Sequence, residues 1–156
     1  MNSLDDIDRR LLASLQDDGR MTNVDLAAKV GLTPPPCLRR VRSLEESGVI
    51  RGYYADLDGA KLGYTITVFA MVSLKSQAED ALRQFEDHMS ALPEVRECHM
   101  LNGEIDFILK IVSRDLQSFQ EFLTSNLTPA PNVASVKTSL TIRTAKQLPG
   151  VPLEED

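Results

Sequence analysis

"TNVDLAAKVGLTPPPCLRRVRSLEESG", residues 22–48, holds two helical periods separated by a glycine, the second preceded by three consecutive prolines. Thr22 with Asp25 is a capping signature, and Val24, Leu26, Ala27 and Val30 form a short apolar stripe that Gly31 stops. Beyond the glycine, Leu38, Val41 and Leu44 recur at a helical spacing with arginines between them. Prolines normally end a helix, so the position of the cap decides the reading. With Thr33 as cap, Pro34, Pro35 and Pro36 fill the first three helical positions, whose N–H groups have no intrahelical acceptor. Cys37 is then the first residue whose N–H must reach back, to the Thr33 carbonyl. Residues before proline resist α geometry, so a conformational cost remains. The spacing predicts a helix from 33 to about 47, ended at Gly48.

Upstream, Ser3 and Asp6 form a capping-box pattern ahead of Leu4, Ile7, Leu11 and Leu15, and "DDGR" closes that segment. Three helices with a glycine turn before the last describe a helix-turn-helix. Its third helix is expected to bury Leu38, Val41 and Leu44 against Ile7, Leu11 and Leu26, with Cys37 as a small buried filler. Arg39 and Arg42 then face outward, flanked by Arg40 and Ser43; a guanidinium can fork onto a guanine edge or a phosphate. Arg39 is placed nearer the groove floor and Arg40 or Arg42 nearer the backbone. Thr22 and Asn23 stand where the second helix offers free N–H groups to phosphate. The leading end of the third helix, Thr33, Pro35 and Pro36, offers rigid ring edges suited to shape or thymine-methyl contact, and almost no amides. The competing reading is a solvated basic face; the turn and both flanking helices in register argue for DNA contact.

From Thr65 the period changes to two. "TITVFAMVSL" (65–74) sets Ile66, Val68, Ala70, Val72 and Leu74 on one face and Phe69 and Met71 on the other. A helical stripe follows at Ala78, Leu82, Phe85 and Met89, closed by Pro93. "EVRECHML" and "EIDFILKIV" are separated by Asn102–Gly103, a pair that favours a tight hairpin. Leu116, Phe119 and Leu123 mark a helix from about 115 to 127, and Val136, Thr138, Leu140 and Ile142 a last strand over 133–144. The order βαββαβ is a ferredoxin-like sandwich, so the fold class is α+β. The chain divides into a helix-turn-helix domain at 1–52, an extended linker at 53–64, the sandwich at 65–144 and a flexible acidic tail at 145–156.

The formal charge of −6 on 156 residues argues at first against a polyanion partner. Residues 1–52 are neutral, however, with eight basic and eight acidic side chains, and 29–51 carry a net +3. A local basic patch on a weakly binding head points to several heads per assembly. A homodimer is also required by geometry, since two helices related by symmetry read a pseudopalindrome, and Phe69 and Met71 suggest a sheet face for it. No apolar run approaches the roughly eighteen residues of a membrane span, and the cysteines fit a reduced cytoplasmic, nucleoid-associated setting. Cys98, His99 and Asp106 tempt a catalytic reading, but strand neighbours point to opposite faces, and no phosphate loop or carboxylate pair is present. The chain is read as no enzyme, with no cofactor; His88, His99, Cys37 and Cys98 lack metal-ligand spacing.

A small-ligand site can be assembled around Gly103 and Asp106. The glycine lets a ligand approach backbone amides at Leu101, Asn102, Gly103 and Glu104, and the carboxylate can fix an ammonium group. Thr138 can add a hydroxyl. The alternative is that Asn102–Gly103 is only a turn and Asp106 its solvated flank.

"LDDIDRRLLASLQDDGRMTNVDLAAKVGLT", "CLRRVRSLEESGVIRGYYADLD" and "VRECHMLNGEIDFILKI" together resemble the leucine-responsive regulatory protein/AsnC family, over about 3–144. The resemblance implies a winged or extended helix-turn-helix joined to an effector and assembly domain. It implies a transcription regulator that binds double-stranded DNA, forms dimers and higher assemblies such as octamers, and responds to an amino acid such as leucine. It places the recognition helix at 33–46, a hinge strand that pairs across the dimer at 50–57, and the glycine–x–x–aspartate effector signature on Gly103 and Asp106. Val136 stands where members often have threonine, Ile105 where an aromatic is common, and Asn132 where a glycine precedes Val133. The competing function is a metabolite-sensing or assembly module that does not bind DNA, which requires the arginine face to be idle.

Overall fold

Two carboxylates start the first helix. In the computed structural model, which describes residues 4–153, Asp5 accepts from the Asp8 N–H at 2.8 Å and Asp8 accepts from the Asp5 N–H at 3.3 Å. The helix, α1, is Asp6–Asp17. The capping box was expected at Ser3 and Asp6; Ser3 lies outside the described residues, and Asp5 with Asp8 performs the exchange, a carboxylate accepting as readily as a hydroxyl. Helix α2 (Asn23–Val30) is capped by Thr22, whose hydroxyl oxygen accepts from Asp25 N–H at 3.2 Å, and stops at Gly31, in the left-handed region at φ 73°.

Helix α3 is Pro34–Glu46, with Thr33 as its cap residue. The first obligatory bond runs from Cys37 N–H to the Thr33 carbonyl, 3.3 Å. The three prolines therefore cost the helix no internal hydrogen bond. The core of the helical unit joins Leu11, Leu26, Ala27, Val30, Cys37, Val41 and Leu44. One expectation fails here: Leu38 is 39 % exposed, and Cys37 takes the core position instead. Positions 37, 41 and 44 keep the i, i+4, i+7 spacing that one buried stripe needs, whereas 38 lies a further 100° around the axis.

Residues 51–58 form no strand within this chain, so the expected hinge strand at 50–57, and any wing, finds no partner here. Tyr54 in this stretch is 88 % exposed. The chain separates into two compact units, residues up to Asp56 together with the stretch from Lys146, and Leu57–Ala145. The tail expected to trail loosely is held at one point. Gln16 donates through Nε2 to the Val151 carbonyl at 2.8 Å and accepts the Val151 N–H at 3.1 Å. The terminal acids Glu154, Glu155 and Asp156 lie outside the described residues.

The second unit runs β1 (Ile66–Leu74), α4 (Glu79–Ser90), β2 (Val95–Met100), β3 (Phe107–Ser113), α5 (Leu116–Phe122) and β4 (Val133–Leu140). Its sheet is ordered β2-β3-β1-β4 with every neighbouring pair antiparallel, the ferredoxin-like βαββαβ arrangement. Ala70, Val72, Leu74, Phe107, Leu109 and Ile111 point to one face and bury against Phe85, Met89, Phe122 and Leu127. The rings of Phe85 and Phe107 lie 4.8 Å apart at its centre. Two spacings differ from expectation. Leu116, the first residue of α5, is exposed and Phe122 is buried, while Phe119 and Leu123 pack on the core and the helix passes into a π-helical turn (Leu123–Leu127). The last strand stops at Leu140, leaving Ile142 97 % exposed.

Asn132, at φ 67°, is the one non-glycine in the left-handed region among the described residues. Its Nδ2 donates to the Ser76 carbonyl at 2.8 Å and its own carbonyl accepts from Lys75 N–H at 2.8 Å. Asparagine tolerates this conformation better than other side chains do, which explains how it can stand where relatives by resemblance have glycine.

Phe85→Ala should remove the centre of this core. Chemical unfolding followed by circular dichroism should show a loss of about 3–5 kcal/mol.

Candidate functional site: the outer face of α3 and the loop before β3

Burial of Cys37, Val41 and Leu44 turns the opposite side of α3 outward. Pro35, Arg39, Arg42 and Ser43 are exposed there, as are Thr33 and Thr22 at the starts of α3 and α2. Among the described residues neither Arg39 nor Arg42 has an ion-pair partner. Pro36 is half-buried.

Three of the expected DNA-contacting residues are engaged inside the unit, Thr22 among them, whose hydroxyl donates to Asp25 Oδ2 at 2.6 Å. Arg40 places Nη1 2.8 Å from both Asp5 Oδ2 and Asp8 Oδ1, tying α3 to the start of α1. Asp8 and then Asp5 raise the guanidinium above its ordinary pKa. The Asp8 N–H, followed by the Arg40 guanidinium, holds the Asp5 carboxyl below the usual aspartate value. Asn23 donates its side-chain amide to the Pro34 carbonyl at 2.8 Å, so that donor joins α2 to α3. No sequence signal separated Arg40 from its neighbours, since its partners lie more than thirty positions upstream.

In the second unit, residues 101–106 form a loop rather than a tight hairpin, closed by Leu101 N–H on the Asp106 carbonyl at 2.8 Å. A longer loop follows because Asp106 is drawn into the end of β1. Its N–H donates to the Val72 carbonyl at 3.0 Å, and its Oδ2 accepts from Leu74 N–H at 2.6 Å and from Gln77 Nε2 at 3.4 Å. Leu74 is where the β1–β4 register slips, so the carboxylate satisfies a donor at an irregularity. Leu101, Asn102, Gly103 and Glu104 are exposed, and a Cβ on Gly103 would meet open space. Thr138 is elsewhere. It pairs with Ala70 on β1 and borders a cleft of about 360 Å³ lined by Lys75, Leu123, Thr128, Val133, Ala134, Ser135 and Val136. No residue of the 101–106 loop lines that cleft.

Cys98 and His99 do point apart. Cys98 pairs with core-facing Leu109, and His99 with Ile108 on the other face. Burial, helped by Glu86, pushes the Cys98 thiol up to about 11, the reverse of what a nucleophile needs. No group of three metal-ligating side chains occurs among the described residues.

Two family models match the chain: a winged helix-turn-helix DNA-binding domain over residues 4–51 and an Lrp/AsnC ligand binding domain over residues 67–151. The chain belongs to the Lrp/AsnC family. It is 52 % identical over 143 residues to the leucine-responsive regulatory protein of Rhizobium meliloti (strain 1021), covering 92 % of each chain. It is 42 % identical over 153 residues to the Bkd operon transcriptional regulator of Pseudomonas aeruginosa, covering 98 % of this chain and 100 % of that one. A transcriptional regulator from Neisseria meningitidis, solved as its L-Met complex, superposes with a TM-score of 0.91 at 34 % identity, covering 97 % of each chain. This Lrp/AsnC protein is a sequence-specific DNA-binding transcriptional regulator and not an enzyme. No helix among the described residues is long and apolar enough to cross a membrane.

Arg40→Ala should lower stability by about 0.5–1 kcal/mol, as partly exposed ion pairs do. Arg39→Ala and Arg42→Ala should leave the melting temperature unchanged and weaken duplex binding by about tenfold or more each. The Arg40 deficit has a pH signature. Because Asp5 is depressed in the folded chain, its contribution is present above the ordinary aspartate pKa of about 3.9 and is lost as pH falls through the lower folded value. Thermal melts of wild type and Arg40→Ala should differ by a constant amount near neutrality and converge in acid.

Proposed function

We propose that this regulator binds a pseudopalindromic duplex operator through symmetry-related copies of α3, and that an amino acid taken up by the α/β unit alters its assembly on DNA. The observation that carries the first half is the pair Arg39 and Arg42, exposed and unpaired on the side of α3 opposite its buried stripe. Thr33 and Ser43 flank the pair and supply hydroxyls for the DNA backbone, while the Thr22 hydroxyl is held by Asp25. Pro35 and Pro36 form the leading edge. Arg40 and Asn23 serve the site by holding α3 on α1 and α2 rather than by touching DNA.

The sheet face away from the helices supports self-association. It carries Phe69, 37 % exposed, with Met71, Ile108 and Val112 half-buried. At its edge Glu97 sits between Lys110 at 2.9 Å and His99 at 3.3 Å, and Lys110 above all holds that carboxyl below its ordinary value. An apolar patch rimmed by paired charge fits a second copy of the chain. Larger closed assemblies, of octamer size, follow if the exposed loops also meet.

For the effector, nothing in the chain's own packing calls for a glycine at 103, so the missing side chain makes room for something outside the chain. Amides of Leu101, Asn102, Gly103 and Glu104 suit a carboxylate, and Asp106 keeps one oxygen, Oδ1, for an ammonium group. Thr138 enters such a site when a second copy brings its β4 edge to the loop, which fits binding at a boundary between copies. Leucine and methionine are the first candidates, from the names of the relatives.

Duplex retention at rising salt, repeated with each of the twenty amino acids singly, tests both halves. Affinity should fall steeply with salt, and at least one amino acid should change affinity or sedimentation. No retention at low salt would sink the DNA half, and indifference to all twenty would sink the effector half. Gly103→Val should fold within about 0.5 kcal/mol of wild type and lose the amino-acid response.

A further inference from the structure

Leu38 leaves the core and does not join the apolar side chains packed around it. With Pro35, Arg39 and Arg42 it stands at i, i+3, i+4 and i+7, so the four side chains form one stripe along α3. Along the stripe two apolar groups at the N-terminal end are followed by two guanidinium groups with no ion-pair partner among the described residues. The acids of the helix, Glu45 and Glu46, are confined to its far end. A protein helix docked here would leave both arginines to find carboxylates. A duplex supplies the matching charge along the whole stripe.

The leading end has a second peculiarity. Pro34, Pro35 and Pro36 remove three N–H groups, so the first turn of α3 has no backbone donor for phosphate or a base acceptor. What it presents is hydrocarbon. In the major groove the only apolar group a base offers is the thymine C5-methyl.

We propose that Pro35 and Leu38 read thymine methyl groups in the major groove, on the N-terminal side of the guanine or phosphate contacts of Arg39 and Arg42. This rests on the reading of α3 as the recognition helix. It makes the N-terminal half of α3 a reader of thymine positions rather than a phosphate clamp.

The test uses duplexes selected by the full-length protein from a random pool. Each thymine of the recovered site is replaced singly by uracil, which keeps every hydrogen-bonding group and removes the methyl. Wild type should lose about fourfold in affinity at one or two thymines per half-site, the worth of one buried methyl. Leu38→Ala and Pro35→Ala should bind the thymine and uracil duplexes alike at the corresponding positions. Uracil tolerated at every thymine overturns the proposal and leaves DNA binding standing, as does a thymine preference that both variants retain. Failure to recover any duplex overturns it together with the recognition-helix reading. Should one variant fold poorly, the other and the wild-type uracil series still test the proposal.

Discussion

The rotation of α3 about its own axis is set by burial of Cys37, Val41 and Leu44 against α1 and α2, and what the helical unit offers to DNA follows from that rotation. A slip of one residue would turn the helix by about 100° and bury Leu38 with Arg42 in place of the present stripe. Apolar burial supplies the driving force, but it does not act alone. The Arg40 guanidinium grips Asp5 and Asp8, and the Asn23 amide grips the Pro34 carbonyl. These two polar ties hold α3 at its middle and at its first residue, one to the start of α1 and one to the start of α2. They spend an arginine and an asparagine on position, leaving Arg39 and Arg42 for the partner.

A comparable economy governs the α/β unit. Asp106 satisfies the Leu74 N–H where the β1–β4 ladder slips, and Asn132 bridges Lys75 and Ser76 just beyond it. Both side chains therefore organise the C-terminal end of β1, on either side of the strand. The loop before β3 hangs from this point with its residues exposed, while the cleft bordered by Thr138 opens at the β4 edge. Placed apart in one chain, the two features would form the proposed ligand site only through association of copies. That arrangement would make ligand uptake and assembly size one equilibrium.

The elements themselves are largely legible in the sequence. Thr22, Gly31 and Thr33 act through local backbone geometry, so their caps and stops can be counted off the chain, including the harmless position of the prolines. The strand alternation of Val68, Ala70 and Val72 with Phe69 and Met71 is equally local. Errors arose where the answer lay in distant contacts. Leu38 and Cys37 both fit a helical period, and only the helices packed on α3 choose between them. Leu116 also fits the helical period of α5, and only packing against the sheet leaves it exposed and buries Phe122. The engagement of Asp106 is invisible in the sequence because Leu74, its donor, comes from a strand thirty-two positions earlier.

What the sequence determined by itself, then, is the succession of helices and strands, the start of α3 and the membership of the Lrp/AsnC family, all carried by neighbouring residues. Which face each helix buries, which arginines stay free and which carboxylate is already engaged were decided by tertiary structure. The physical reason is that hydrogen-bond geometry along a helix or strand depends on residues within a few positions. The partner of a buried or charged side chain depends on what the rest of the chain brings alongside it.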